Sequence, residues 1–251
     1  MILPRSGRLT LTFLLLMGFG SSAFASLLVQ PRLTIPPGRH HGPHVALTLD
    51  ACSGQADERI LKALIENRIK ATIFVTARWI MRNPEAVAEF NQHRDLFEVE
   101  NHGLKHLPAI DRPMRVYGLA AAGSPEAVRA EIEGGAEAVA VATGRKPVWF
   151  RGATAEYTTT SLALIQSMNV ALAGFSIAAD QGALLDAGTT ARRIEAAKDG
   201  DVILAHVNQP KRSAGLGVVA GILKLKAEGY RFMRLDEAIP DPLPHGAPLT
   251  H

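Results

Sequence analysis

Two histidines four positions apart, His102 and His106, are the residues of this sequence that most directly suggest metal chemistry. They lie in the segment Phe97 to Leu107, where apolar residues alternate at Phe97 and Val99 before the polar run begins. Residues four apart lie on one face of a helical turn, so a turn after a strand would let both imidazoles bind one ion. The same spacing also occurs in histidine pairs that are only structural, so the rest of the chain must decide between these interpretations.

Four further polar residues follow short apolar runs in the same way. Asp50 ends a β-prone run, and Arg151, Asp180 and His206 lie at or just past the ends of later runs. In a β/α barrel, the C-terminal ends of the parallel strands share one face, which is where such barrels carry their chemistry. We therefore expect these four residues and His102 to converge on one pocket.

Strands and helices alternate about seven times along the chain, which predicts a parallel sheet with helical crossovers, closed as a barrel or open. The predicted strands cover 45–49, 71–77, 97–101, 147–150, 170–177, 201–207 and 230–235. The predicted helices cover 58–68, 124–142, 161–168, 190–198 and 217–228, and another opens at Asn83-Pro84. Residues 108–123 have no clear period and are expected to form a rim or substrate loop.

The 251 residues are expected to hold one domain, at 45–240, preceded by an export signal. Residues 1–25 combine basic residues, an apolar run and Ala-Phe-Ala, which is the order of a secretory signal peptide cleaved after Ala25. The apolar run is too short to span a bilayer comfortably, so we expect periplasmic or extracellular export without a stable span, an uncleaved anchor being the alternative. Residues 26–44 are predicted to be a lead-in and 241–251 a C-terminal tail.

The charge balance and the cysteine count limit the partners and the covalent cross-links that this protein is expected to have. The 27 Lys+Arg, less Arg5 and Arg8 of the signal, leave 25 against 24 Asp+Glu, so the mature chain is nearly neutral and a nucleic-acid partner is not expected. Cys52 is the single cysteine, which excludes an intramolecular disulfide. Stability must therefore come from packing.

In order, these polar residues resemble the five motifs of the polysaccharide deacetylases of carbohydrate esterase family 4, the NodB-homology domain. Leu47-Thr48-Leu49-Asp50 is similar to T-F-D-D, whose first aspartate is the catalytic base, and Asn101 to His106 is similar to H-S/T-x-x-H, which supplies two metal ligands. Phe150 to Thr154 resembles R-x-P-Y, whose arginine orients the base. Asp180 lies near an aspartate-bearing fourth motif, and Leu204-Ala205-His206 is similar to L-x-H, whose histidine is the catalytic acid.

The resemblance covers about Val45 to Leu235 and implies a distorted (β/α) barrel of about seven parallel strands, the NodB-like fold. It implies a hydrolase that removes N-acetyl groups from amino sugars of a peptidoglycan-like or chitin-like polysaccharide. It further implies a divalent metal at His102 and His106, zinc in the first place, with cobalt or nickel as alternatives. Asp50 would be the base held by Arg151, and His206, paired with Asp180, the acid.

The first motif departs from the family at Ala51, where the family has a metal-binding aspartate. Only two protein ligands are then certain, whereas catalytic zinc usually has three. Asp50 could ligate as well as act as base, waters could complete the shell, or Cys52 could supply a thiolate, since strand alternation would point Asp50 and Cys52 the same way. A small buried residue without a ligand role is the simpler interpretation of Cys52.

Other departures leave further alternatives open. Ala153 and Thr154 replace the third motif's Pro and Tyr, and the fourth motif lacks its usual tryptophan. The fold could be a carbohydrate-binding or cell-wall module that has lost catalysis, or a deacylase acting on a non-sugar amide or an O-acetyl ester.

Side chains beyond the motifs also allow more than one interpretation. Trp79 and Trp149 could stack on sugar rings or belong to the core. Glu98 and Glu100, which share a strand face with His102, are expected behind the site or facing solvent.

Overall fold

The computed structural model describes residues 28–36 and 42–242. The predicted signal peptide 1–25, part of the lead-in 26–44 and the tail beyond residue 242 lie outside the described residues. Within the lead-in, isolated bridges join Val29 to Tyr157 and Thr34 to Asp201, so this segment lies against the domain. Among the described residues, no helix is both long and apolar enough to cross a bilayer.

Within residues 28–36 and 42–242, ten strands form one large parallel sheet and one small hairpin. They are β1 (His44–Ala51), β2 (Ala71–Val75), β3 (Phe97–Asn101), β4 (Arg115–Val116), β5 (Leu119–Ala120), β6 (Trp149–Phe150), β7 (Ala171–Leu172), β8 (Ile177–Ala178), β9 (Val202–His206) and β10 (Arg231–Met233). The large sheet runs β7-β6-β3-β2-β1-β9-β8, with β10 beside the start of β1. The sheet is curled and surrounded by helices, and the predicted distorted (β/α) barrel is confirmed.

Eight α-helices lie between and after the strands of the described chain. They are α1 (Glu58–Glu66), α2 (Ala77–Arg82), α3 (Pro84–Gln92), α4 (Pro125–Thr143), α5 (Thr159–Ser167), α6 (Ala187–Glu195), α7 (Ala214–Ala227) and α8 (Leu235–Ala238) in the described chain. Side chains that accept a hydrogen bond from the first turn fix several of their starts, including Asp57 before α1 and Ser124 before α4.

Alternation along β1 separates the core from the interior of the barrel. Val45, Leu47, Leu49 and Ala51 pack in the main core shared by the sheet and the helices. Ala46 belongs to a second cluster on the opposite side of the sheet. Because side chains alternate along a strand, the polar side chains of the even-numbered positions that follow Ala46 face the barrel interior.

Helix α2 and the end of β2 differ from the prediction. The strand expected to reach residue 77 ends at Val75, because Thr76 caps α2. Its hydroxyl accepts a hydrogen bond from the Trp79 amide and donates one to the Cys52 carbonyl, at 3.0 and 2.8 Å.

The strand predicted over 170–177 is wrong as a single element, since it is two short strands, β7 and β8. The backbone carbonyls between these two strands accept hydrogen bonds from a side chain. Arg151 donates to the carbonyls of Ala173 and Gly174, at 3.2 and 3.0 Å, where a continuous strand would offer these groups to a neighbour.

Both tryptophans belong to the core. Trp79 has no exposed surface and stacks on Phe90 with ring centroids 6.0 Å apart, and Trp149 is 3% exposed. Their suggested stacking on sugar rings is therefore wrong. The predicted rim segment 108–123 instead carries an exposed tyrosine, Tyr117, in the turn between β4 and β5.

Candidate active site

His102 and His106 lie side by side just past the end of β3, with ring centroids 5.1 Å apart. The helical turn expected between them is wrong, because residues 102–106 form no helix. The backbone instead takes a left-handed conformation at Gly103 (φ 95°) and at His106 (φ 65°). The pairing of the two rings therefore comes from a nonhelical turn.

Glu131 of α4 holds this turn. Its buried carboxylate accepts hydrogen bonds from the amides of Lys105 and Leu107, at 2.8 and 3.0 Å, on either side of His106. A β-carbon at Gly103 would lie 2.6 Å from the same carboxylate, so only glycine fits there. Sequence reasoning missed Glu131, which the sequence presents as an ordinary charged residue of a helix.

The His102 ring is fixed at one nitrogen and free at the other. Its Nδ1 lies 2.6 Å from the carbonyl oxygen of Arg151, which requires Nδ1 to carry the proton. Its Nε2 lies 3.4 Å from the Cys52 sulfur and 3.7 Å from an Asp50 oxygen. Its Nε2 is therefore the nitrogen that is directed at the other polar groups of the site.

Cys52, His102 and His106 bring their ligand atoms within 4.8 Å of one another. A thiol and two imidazoles are a donor set that suits divalent zinc or cobalt. Burial would raise the pKa of the Cys52 thiol, but the neighbouring histidines, first among them His102, outweigh it and hold that pKa well below its usual value. These residues therefore fit the divalent metal that the sequence predicts.

Asp50 forms a buried ion pair with Arg151. The Arg151 Nη1 donates to the Asp50 carboxylate at 2.9 Å and to the Thr48 hydroxyl at 3.0 Å. Burial would raise the pKa of the Asp50 carboxyl, but the positive charges of His102 and Arg151 outweigh it, so the pKa lies below its usual value. The carboxylate is therefore ionised and fixed in direction.

Asp180, just past the end of β8, and His206, at the end of β9, form a second pair. The Asp180 carboxylate accepts from the His206 backbone amide and lies against its ring Nδ1, both at 2.8 Å. Burial would lower the pKa of His206, but Asp180 outweighs it and raises the pKa well above its usual value. Because Asp50 and His206 are register partners across β1 and β9, the two pairs lie next to each other.

The structure thus brings all six predicted site residues to the C-terminal ends of the strands. Ala51 points the other way, into the main core. Thr154, in the third motif segment, takes a left-handed φ of 70°, which is strained for a β-branched residue. Its hydroxyl is buried and has no hydrogen-bond partner among the described residues.

Glu98 and Glu100 are not solvent-facing, since they are 1% and 2% exposed. Glu100 accepts from the amides of Val148 and Trp149 at 2.9 and 2.7 Å, and Glu98 accepts from the Thr72 hydroxyl at 2.6 Å. Burial, followed by the charge of Glu98, raises the pKa of Glu100 to about 9. The Glu100 carboxyl therefore carries its proton at neutral pH, and it lies on the same face of β3 as Glu98.

Comparison with known sequences points to one family. The sequence profile described as polysaccharide deacetylase matches residues 38–173, just over half of the chain. That span includes the first three motif segments, whereas Asp180 and His206 lie beyond it. A comparison with curated protein sequences finds no significant match.

Solved structures with a similar fold include a peptidoglycan deacetylase and proteins described as CE4. The Xyl-CE4 domain of a multidomain xylanase from the hindgut metagenome of Trinervitermes trinervoides superposes with a TM-score of 0.67 at 20% identity, covering 81% of this chain and 95% of that one. Peptidoglycan deacetylase PdaC from Bacillus subtilis gives 0.63 at 20%, covering 78% and 89%. A CE4 family pseudoenzyme from Bacillus anthracis gives 0.61 at 22%, covering 79% and 66%.

Proposed function

The chain belongs to the polysaccharide deacetylase family, and from that membership we propose that it is a metal-dependent hydrolase that removes N-acetyl groups from amino sugars of a polysaccharide. The substrate proposed is peptidoglycan-like or chitin-like. The domain proposed to carry the activity is 45–240. Residues 1–25, outside the described residues, carry the proposal that the protein is exported to the periplasm or beyond.

One observation carries this proposal. Two buried carboxylates, each paired with a cationic side chain, lie beside the imidazoles of His102 and His106 at one rim of the barrel. The pairs are Asp50 with Arg151 and Asp180 with His206. An ionised carboxylate beside a cation and a histidine kept protonated are the base and the acid that amide hydrolysis needs. A base and an acid that lie side by side and have shifted pKa values are typical of catalytic sites.

His102 and His106 would hold the metal. A divalent ion bound there supplies Lewis acidity, which makes a water more acidic and the acyl carbon more electrophilic. The Arg151 carbonyl keeps the His102 ring in the tautomer whose Nε2 can ligate. The Glu131 carboxylate keeps the His106 turn in position.

The side chains then divide the proton transfers. Asp50 accepts a proton from the attacking water, whose oxygen forms a bond to the acyl carbon. Arg151 keeps Asp50 ionised and aimed through the 2.9 Å contact. His206 donates its proton to the nitrogen as the carbon–nitrogen bond breaks, and Asp180 stabilises the charged ring before that step. Acetate and a free amine leave, and transfer of a proton from Asp50 back to His206 through solvent restores the site.

The test is acetate release by the full chain, with and without added zinc, from N-acetylglucosamine oligomers and from peptidoglycan. We expect release that a chelator abolishes, and a fall of at least about 10²-fold in Asp50→Asn at unchanged metal content. Asp95→Asn, at an exposed ion pair with Arg68, is the matched control and should retain full activity. No release from either substrate by folded, metal-loaded protein would overturn the proposal.

A second candidate is a carbohydrate-binding module of the same fold that has lost catalysis. Ala51 favours it, because the family's ligand aspartate is missing at that position. This candidate predicts binding of the polymer without acetate release, and with weak or absent metal binding. Metal content and acetate release, measured on one preparation, separate the two candidates. A panel of non-sugar amides and O-acetyl esters tests the remaining alternative, a deacylase with another substrate.

A further inference from the structure

The metal proposed above has two histidine ligands, and the structure bears on where a third protein ligand comes from. We propose that the Cys52 thiolate is that ligand, so that the site is Cys-His-His and Asp50 remains free of the ion. This inference rests on the proposed metal-dependent function. It assigns Cys52, the single cysteine of the chain, to the centre of the site.

The two positions before Cys52 do not offer an equivalent ligand. Ala51 has no exposed surface and packs in the main core, so its position cannot face the histidines. Asp50 has one oxygen on Arg151 at 2.9 Å, while its other oxygen lies 3.7 Å from the His102 Nε2. Its carboxylate is engaged by the guanidinium and is not among the three ligand groups that lie within 4.8 Å of one another.

Cys52 is held where a ligand must be. Its sulfur lies 3.4 Å from the His102 Nε2, the nitrogen left free by the hydrogen bond on the other side of that ring. The Cys52 carbonyl accepts from the Thr76 hydroxyl at 2.8 Å, so the backbone of this residue is fixed to the start of α2. The rings of His102 and His106 thus have the sulfur beside them without any rearrangement of the backbone.

The following loop is fixed in the same way. Asn83 donates to the Gly54 carbonyl at 3.0 Å, and its own side-chain oxygen accepts from the Ala56 amide at 3.0 Å. Asn208 donates to the Ser53 carbonyl. A preorganised ligand loses little conformational freedom on binding, so this arrangement favours affinity.

A thiolate ligand changes which ions the site prefers. Sulfur is a soft donor, so zinc and cobalt should bind far better than magnesium, calcium or manganese. Ligation replaces the S–H bond by a sulfur–metal bond and releases one proton to solvent. Affinity should therefore fall in acid and depend on a reduced cysteine.

Cobalt(II) tests the assignment by spectroscopy independently of activity. The full chain, stripped with a chelator and titrated with cobalt(II), should bind one ion with a near-ultraviolet thiolate-to-cobalt charge-transfer band. Cys52→Ala and Cys52→Ser should lose the band and more than about 10²-fold in affinity, since even outer-shell changes cost 10- to 100-fold. Cys52→Asp should bind one ion without the band.

A measurement on the unmodified protein guards against misfolded variants. Alkylation of the single cysteine by iodoacetamide should be slowed at least tenfold by equimolar zinc and unaffected by magnesium. If cobalt binds without the band, or if zinc does not protect the thiol although zinc-dependent acetate release persists, the cysteine assignment is overturned and the proposed function stands. If no ion binds and no acetate is released, both fail.

Discussion

Arg151 connects more of the site than any other side chain described here. It is fully buried, contacts Asp50, Thr48 and two backbone carbonyls through its guanidinium, and lies over the Phe74 ring with its Cζ 4.4 Å from the centroid. Its own carbonyl orients His102. A lysine could not reproduce this set of contacts, because an ammonium lacks the planar fork of donors.

The Asp180 carboxylate sets the pH range in which His206 can act as an acid. Removing its charge in Asp180→Asn lets the effect of burial dominate, so the pKa of His206 falls. The protonated ring is then lost at lower pH, and we expect the alkaline limb of the kcat/KM profile to move to lower pH. At neutral pH, kcat/KM should fall by about 10²-fold.

The control for that variant lies in the same loop. Asp186→Asn changes an exposed aspartate that caps α6, and asparagine caps helices equally well. Its pH profile should match the parent protein. An unchanged alkaline limb in Asp180→Asn would contradict the role proposed for Asp180.

At the scale of elements, α4 positions the turn that carries His106. Glu131→Ala removes the acceptor of two partly buried amides, which should lower the free energy of unfolding by about 2 kcal/mol. Metal affinity should fall by roughly 10- to 100-fold, because the ligand turn loses its support. Isothermal titration with zinc and urea unfolding measure the two effects.

Glu133 on the same helix gives the matched control. It is exposed and forms an ion pair with Arg129, at 3.8 Å. Glu133→Ala should therefore bind zinc like the parent protein and unfold within about 0.5 kcal/mol of it. If Glu131→Ala bound zinc equally well, α4 would have no part in positioning His106.

Strand β3 carries a pH dependence of stability through Glu100. Its pKa rises from 4.5 to about 9 on folding, so the native state holds a proton that the unfolded state releases. The resulting stability is fully present below about 4.5 and is lost as pH rises through about 9. Urea unfolding of the parent protein should therefore give falling stability between these values.

Glu100→Gln should remove most of that slope, because the side-chain amide keeps an acceptor for the backbone amides of Val148 and Trp149 and does not ionise. The variant should be more stable than the parent protein near pH 9. Glu133→Gln, at an exposed position, should keep the slope. Equal slopes in Glu100→Gln and the parent protein would show that Glu100 is already ionised in the folded state.

At the scale of the whole molecule, the site residues come from strands that are far apart in sequence. β1 is central, with β2, β9 and β10 as its partners, and β3 follows β2. Since every strand of this sheet is parallel to its neighbours, all C-terminal ends lie at one rim. An ion bound there would connect the end of β1 to the turn after β3.

Metal binding should accordingly stabilise the whole fold. An ion that binds only the native state, at about 100 times its Kd, adds about 2.7 kcal/mol, which corresponds to a rise in Tm of roughly 5 to 10 °C for a chain of this length. Differential scanning fluorimetry with zinc and then with chelator measures this. His102→Ala should abolish the rise, and His93→Ala, at the C-terminal end of α3, should retain it.

The sequence by itself determined the alternation of strands and helices, the family motifs and the position of five polar residues at strand ends. These features depend on neighbouring residues: apolar periodicity gives the elements, and their alternation gives a parallel sheet. Because parallel strands end on one side, the sequence alone places Asp50, His102 and His206 at one rim.

Only the tertiary structure decided how those residues are held. The turn at His106 is nonhelical because the backbone amides on either side of it donate to Glu131, 25 positions further on. The strand after Asn169 is divided because the carbonyls between its two halves accept hydrogen bonds from Arg151. The approach of Cys52 to the histidines likewise depends on the packing of separate strands. Such contacts join residues distant in the chain, so local propensity and periodicity carry no record of them.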